Sequence, residues 1–86
     1  MNEKIVEKLR EIFLLKAPQG TKEVYCKLDR QGGLSLNLIG EFRNDYDVIA
    51  KTSELLAEVY CRCDVFMLPL IQINKRIKKS KWIKIR

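Results

Sequence analysis

Asp45 and Asp47, two carboxylates one residue apart, come nearest in this 86-residue chain to a metal-binding pattern. Carboxylate oxygens are the ligands a hard divalent cation prefers, so an Asp-x-Asp pair is a candidate metal-binding pattern. The pair sits where an amphipathic helix is predicted to begin, and acids there interact with free N–H groups and the helix dipole. Helix-start chemistry is therefore the primary reading of Asp45 and Asp47, with metal binding the alternative. Cys61-Arg62-Cys63 is a C-x-C without a second pair, and the chain has no histidine. A closed zinc site needs four ligands, so this motif reads as two small side chains at a helix end. Without histidine, neither a Ser-His-Asp nor a Cys-His mechanism can be built. Gly32-Gly33 is not followed by Lys-Ser or Lys-Thr, so it reads as a hairpin turn and not as a phosphate loop.

Charge is the second source of candidate chemistry. The net charge of +6 is concentrated at one end: Lys75, Arg76, Lys78, Lys79, Lys81, Lys84 and Arg86 fall within 75–86 without an acid, leaving 1–74 close to neutral. A localised basic segment is a candidate polyanion-binding element, with Trp82 available to stack on a base or a partner. The same segment also reads as a short terminal strand, because Ile83 and Ile85 lie on one side of it. The three cysteines are an odd number, which points to reduced thiols. No apolar run approaches the roughly 20 residues that span a bilayer, and the chain opens on Asn2, Glu3 and Lys4. A cytoplasmic, unprocessed protein without membrane contact is expected.

The elements that position these groups follow from periodicity. Ile5, Val6, Leu9, Ile12, Phe13 and Leu15 give a helix over 3–16, capped by Asn2 and stopped by Pro18 and Gly20. Strands are expected at 23–28 and 34–40 around the glycine-bearing loop 29–33. In the second, Leu34, Leu36 and Leu38 alternate with Ser35 and Asn37. A second helix is predicted over 45–61, with Val48, Ile49, Leu55, Leu56, Val59 and Tyr60 on one face and Asn44 with Asp47 as a capping box. The apolar run from Val65 to Ile71 predicts a strand covered on both faces, with Pro69 at its end or at a bulge. A crossover helix makes the second and third strands parallel. The fold class is α+β: an α-β-β-α-β order with a small mixed sheet and both helices on one face. The division expected is 1–74 as the domain and 75–86 as a basic C-terminal tail or short terminal strand.

The segment from Asp47 to Val59, followed by Cys63-Asp64-Val65-Phe66-Met67-Leu68-Pro69-Leu70, resembles the second half of the minimal nucleotidyltransferases. The order of elements is also similar. That family carries a Gly-Ser turn, an Asp-x-Asp pair on the second strand of its hairpin and a third carboxylate on the strand after the helix. Here the resemblance places Ser35 and Asn37 at the pair and Asp64 or Phe66 at the third position, and no Gly-Ser dipeptide occurs. A hydroxyl and an amide cannot replace two anionic metal ligands. Ser35, Asn37 and Asp64 are accordingly read as vestiges of a nucleotide site, with no catalytic residue, no cofactor and no metal expected. The resemblance implies a degenerate, truncated member serving as a binding module or pseudoenzyme. In a toxin–antitoxin setting it would be the antitoxin-type or regulatory partner of a protein such as a HEPN-class RNase. The alternatives are nucleic-acid binding through the basic tail and a residual metal-dependent nucleotidyltransferase. A protein partner or homo-oligomer is expected to engage the sheet around the hairpin, between Tyr25 and Asn37.

Overall fold

The computed structural model describes residues 3–86, so the expected cap at Asn2 lies outside the described residues. Helix α1 (Glu3–Lys16) buries Ile5, Val6, Leu9, Ile12 and Phe13. Leu15, expected on that face, is exposed, because it falls outside the stripe set by the other five. Strands β1 (Thr21–Leu28) and β2 (Gly33–Gly40) form an antiparallel hairpin. Asp29 Oδ1 accepts from the N–H groups of Gln31 and Gly33, both at 2.8 Å, and Gly32 takes a φ of 82°. This Asx geometry and the left-handed glycine close the loop without a helix behind it.

Helix α2 (Asp45–Cys63) follows. Asn44 caps it by accepting from Tyr46 N–H at 2.8 Å, one residue earlier than the Asp47 N–H that a capping box would use. Thr52 replaces Ile49 on the buried face. The helix runs two residues beyond the expected end and stops at Asp64, whose φ of 53° and ψ of 44° are left-handed. The N–H groups of Asp64 and Val65 reach the carbonyls of Cys61 and Tyr60, a Schellman closure that satisfies the last turn.

Strand β3 (Leu68–Ile73) is parallel to β2, as the crossover requires. It starts later than the apolar run implied, because helix stop and linker occupy 64–67, with Met67 plugged into the core. The expected cover on both faces is also absent. The sheet order is β3-β2-β1-β4, so β3 is an edge, and Leu68 and Leu70 are exposed. A short 3₁₀ turn (Lys79–Lys81) leads into β4 (Ile83–Lys84), which pairs antiparallel with β1.

Both helices cover one face of the sheet. Val24, Cys26, Leu34, Leu36 and Leu38 point at them, and Leu9, Phe13, Leu56 and Val59 fill the space between. Fully burying a Leu or Phe side chain contributes about 1.5–3 kcal/mol. Ile85 belongs to the same core, so 75–86 is tied into the body of the fold. No helix among the described residues is long and apolar enough to cross a membrane.

Candidate functional site: the polar sheet face and its basic strap

Strand alternation sends Tyr25, Lys27, Ser35, Asn37 and Gln72 to the face opposite the helices. Tyr25, Asn37 and Gln72 stand side by side in register across β1, β2 and β3. A basic segment lies across this face. The chain leaves β3 at Asn74, which is left-handed with a φ of 52°. The Asn74 side chain accepts from Gly40 N–H at 2.9 Å and donates to Gly40 C=O at 3.0 Å, while its own N–H bonds Leu38 C=O at 2.8 Å. Asparagine tolerates the left-handed region and supplies both partners a backbone end requires.

One residue later the strap is fastened to the middle of the sheet. Asn37 Nδ2 donates to Lys75 C=O at 3.0 Å, and Lys75 N–H donates to Asn37 Oδ1 at 3.2 Å. Asn37 is 0% exposed. Lys79 then lies over the Tyr25 ring, its Nζ 5.5 Å from the centroid, and Lys27 Nζ is 5.9 Å from the Trp82 ring centroid. Glu23 gathers the charge: Tyr25 O–H donates to it at 2.6 Å, and Lys79 and Lys84 each stand 3.8 Å away. The Tyr25 hydrogen bond, with the two ammonium groups, holds the Glu23 carboxyl below its ordinary value against the opposing effect of burial, and the same bond pushes the Tyr25 phenol up. The stabilisation tied to Glu23 is therefore present above its ordinary pKa of 4.5 and is lost as pH falls through the lower folded value.

The far end is fixed by backbone pairing. Ile85 N–H donates to Val24 C=O at 2.7 Å, and Val24 N–H donates to Arg86 C=O at 3.2 Å. Arg86 Nη1 donates to Phe13 C=O at 2.9 Å, near the C-terminus of α1, and Arg10 reaches Lys84 C=O at 3.2 Å. Arg86, grouped with the polyanion-binding cations by sequence, thus closes a helix end. Arg76, Lys78 and Lys81 are exposed, and no carboxylate pairs with them among the described residues.

Of the three positions picked out by the resemblance, Ser35 and Asn37 share the polar face of β2 but serve different ends, and Asp64 lies at the end of α2. Ser35 lines a shallow hollow of about 280 Å³ with Leu34, Leu68, Pro69 and Leu70. Asn37 is sealed under Lys75. Asp64 is exposed at the helix stop, where its backbone closes α2. Asp45 and Asp47 occupy the exposed first turn of α2, and Asp47 alone of the two borders a hollow of about 400 Å³ with Pro18, Phe42, Arg43 and Lys51. No group of three metal-ligating side chains occurs among the described residues. Cys61 is exposed while Cys63 is buried, so the C-x-C motif does not converge, and burial pushes the Cys26 thiol up to about 11.

Sequence reasoning missed Asn74. Its signal was an Asn directly after an apolar strand and before a basic run, a position that favours a turn. In the hairpin where a partner is expected, β1 and β2 are both internal strands, and Asn37 on their polar face is tied to the strap. No protein-family model, curated protein or solved structure matches this chain.

Proposed function

We propose that the chain is a non-catalytic, nucleotidyltransferase-like binding module, the antitoxin-type or regulatory partner of another protein such as a HEPN-class RNase. One observation carries this reading. Of the two positions that would hold acidic metal ligands, Ser35 is a hydroxyl, and Asn37 is a buried amide that pins the backbone of Lys75 across the face a nucleotide would use. A neutral, hydrogen-bonded amide gives a cation no charge to replace its hydration. The test is transfer of labelled nucleotide from ATP, CTP, GTP or UTP to protein or RNA with magnesium or manganese. No transfer is expected. Transfer that disappears in an Asp45→Asn/Asp47→Asn variant would replace this reading with that of a residual enzyme working from the first turn of α2.

Polyanion binding is the second reading, favoured by the exposed Arg76, Lys78 and Lys81 on the strap. Each phosphate contact contributes about −0.9 to the log–log salt slope on duplex DNA and about −0.7 on a single strand. Replacing these three cations with Gln leaves the core untouched, and it should flatten the slope by roughly 2–3 units. Unchanged affinity and slope in that variant would eliminate the strap as a nucleic-acid site.

A further inference from the structure

We propose that the free edge of β3 pairs antiparallel with the β3 edge of a second copy of this chain, joining the two sheets into one of eight strands. The inference goes beyond the reading above and does not depend on whether the module is catalytic.

The hydrogen-bond register of β3 fixes which groups face outward. Leu68 N–H bonds Gly32 C=O at 3.3 Å and Asn74 N–H bonds Leu38 C=O at 2.8 Å, so even-numbered residues point inward at β2. By alternation the backbone groups of Pro69, Ile71 and Ile73 point away from the sheet. Pro69 has no N–H, which costs nothing at an outward position. The outward donors are therefore the N–H groups of Ile71 and Ile73. A two-fold axis at Gln72 matches them completely. Ile71 N–H meets the partner's Ile73 C=O, Ile73 N–H meets the partner's Ile71 C=O, and symmetry repeats both. Four hydrogen bonds result, and Pro69 lies just past the paired residues, where it ends the ladder.

The two edges of the sheet are protected differently. On the far edge β4 is two residues long, its Lys84 carbonyl is taken by Arg10, and it carries the Lys84 side chain with Lys81 just before it. Short strands and lysines are the ordinary means of blocking edge pairing. Residues 65–73 hold no charged side chain, and Phe66 and Leu68 are 73% and 69% exposed. Charge placement permits a second copy. Lys79 and Lys84 stand at Glu23 on β1, so a contact through β3 sets them at opposite ends of the joined sheet, and of the strap cations Lys75 and Arg76, just past the end of β3, come nearer the axis. A two-fold contact presents the same patch on both copies, and the outward groups of β3 are self-complementary in this way.

Charge exchange at the axis tests this on the full chain. Gln72 would face its own copy, and like charges directly opposite on paired strands are destabilising. Sedimentation of the wild type should show a reversible shift from one-chain to two-chain mass with rising concentration. Gln72→Lys and Gln72→Glu should each remain monomeric with an unchanged circular dichroism spectrum, and an equimolar mixture of the two should recover the two-chain mass. A wild type that stays monomeric at submillimolar concentration would overturn the proposal. So would dimers that persist in Gln72→Lys, or a mixture of the two folded variants that fails to associate.

Discussion

Asn37→Asp is expected to destabilise the chain by about 3 kcal/mol at neutral pH, although it restores the residue type the nucleotidyltransferase resemblance calls for at this position. The reason is the direction of two hydrogen bonds. Lys75 N–H needs an acceptor and Lys75 C=O needs a donor, and the Asn37 amide supplies both while fully buried. A carboxylate keeps the first bond and sets an anionic oxygen against the carbonyl in place of the second. Leaving a buried polar group unpaired costs about 1–3 kcal/mol, and more for a charged one. The sign with pH follows. A carboxyl in this place is easier to accommodate protonated, because the acid O–H can donate to Lys75 C=O. Its folded pKa therefore rises above the ordinary value of about 4, and the deficit should grow as pH increases past that value and shrink below it. Urea denaturation at pH 3.5 and pH 7 measures both. A variant as stable as the wild type at pH 7, or one stabilised by magnesium, would show that Asn37 faces a usable site.

Removal of 75–86 is expected to abolish cooperative unfolding. Ile85 is 4% exposed and sits in the core with α1 and β1, and Arg86 closes the C-terminus of α1. Large-to-small core substitutions of this kind cost about 2–5 kcal/mol. For 86 residues a total stability of about 4–13 kcal/mol is ordinary, so losing Ile85, the β4 pairing and the cover over Tyr25 together removes a large share of the margin. Ile85→Ala alone should lower the urea midpoint with an unchanged slope. A truncated chain that still unfolds in one sharp transition would make the segment an appendage. Deletion therefore conflates charge with folding, and polyanion binding has to be judged on the Gln replacements at Arg76, Lys78 and Lys81.

Local signals in the sequence locate the elements well. The Leu9, Ile12 and Phe13 spacing defines α1, the Leu34, Leu36 and Leu38 alternation defines β2, and Asn44 marks the start of α2. Each depends on residues a few positions apart. Errors begin where the deciding contact is distant or geometric. The apolar run after Asp64 looks the same whether it is an internal strand or an edge, and only the sheet order makes Leu68 an exposed residue. Leu15 and Ile49 sit at the margin of an apolar stripe, where a small rotation of the helix decides burial. Asn37 in an alternating strand reads as a solvent-facing polar residue. Its partner is 38 positions away, and no pattern of period 2 or 3.6 reports such a pairing. The basic run at the end likewise advertises charge, while its structural content lies in Asn74 and Ile85 at its two borders.

Amide hydrogen exchange on the intact wild-type chain tests most directly whether 74–86 is a folded strap across the polar face. The account predicts that the N–H groups of Lys75 and Ile85, bonded to Asn37 Oδ1 and Val24 C=O, are protected, with Ile85 approaching the protection of core amides such as Leu36. Exchange of both at the rate of an unstructured peptide, while α2 and β2 stay protected, would contradict it and leave the polar face open.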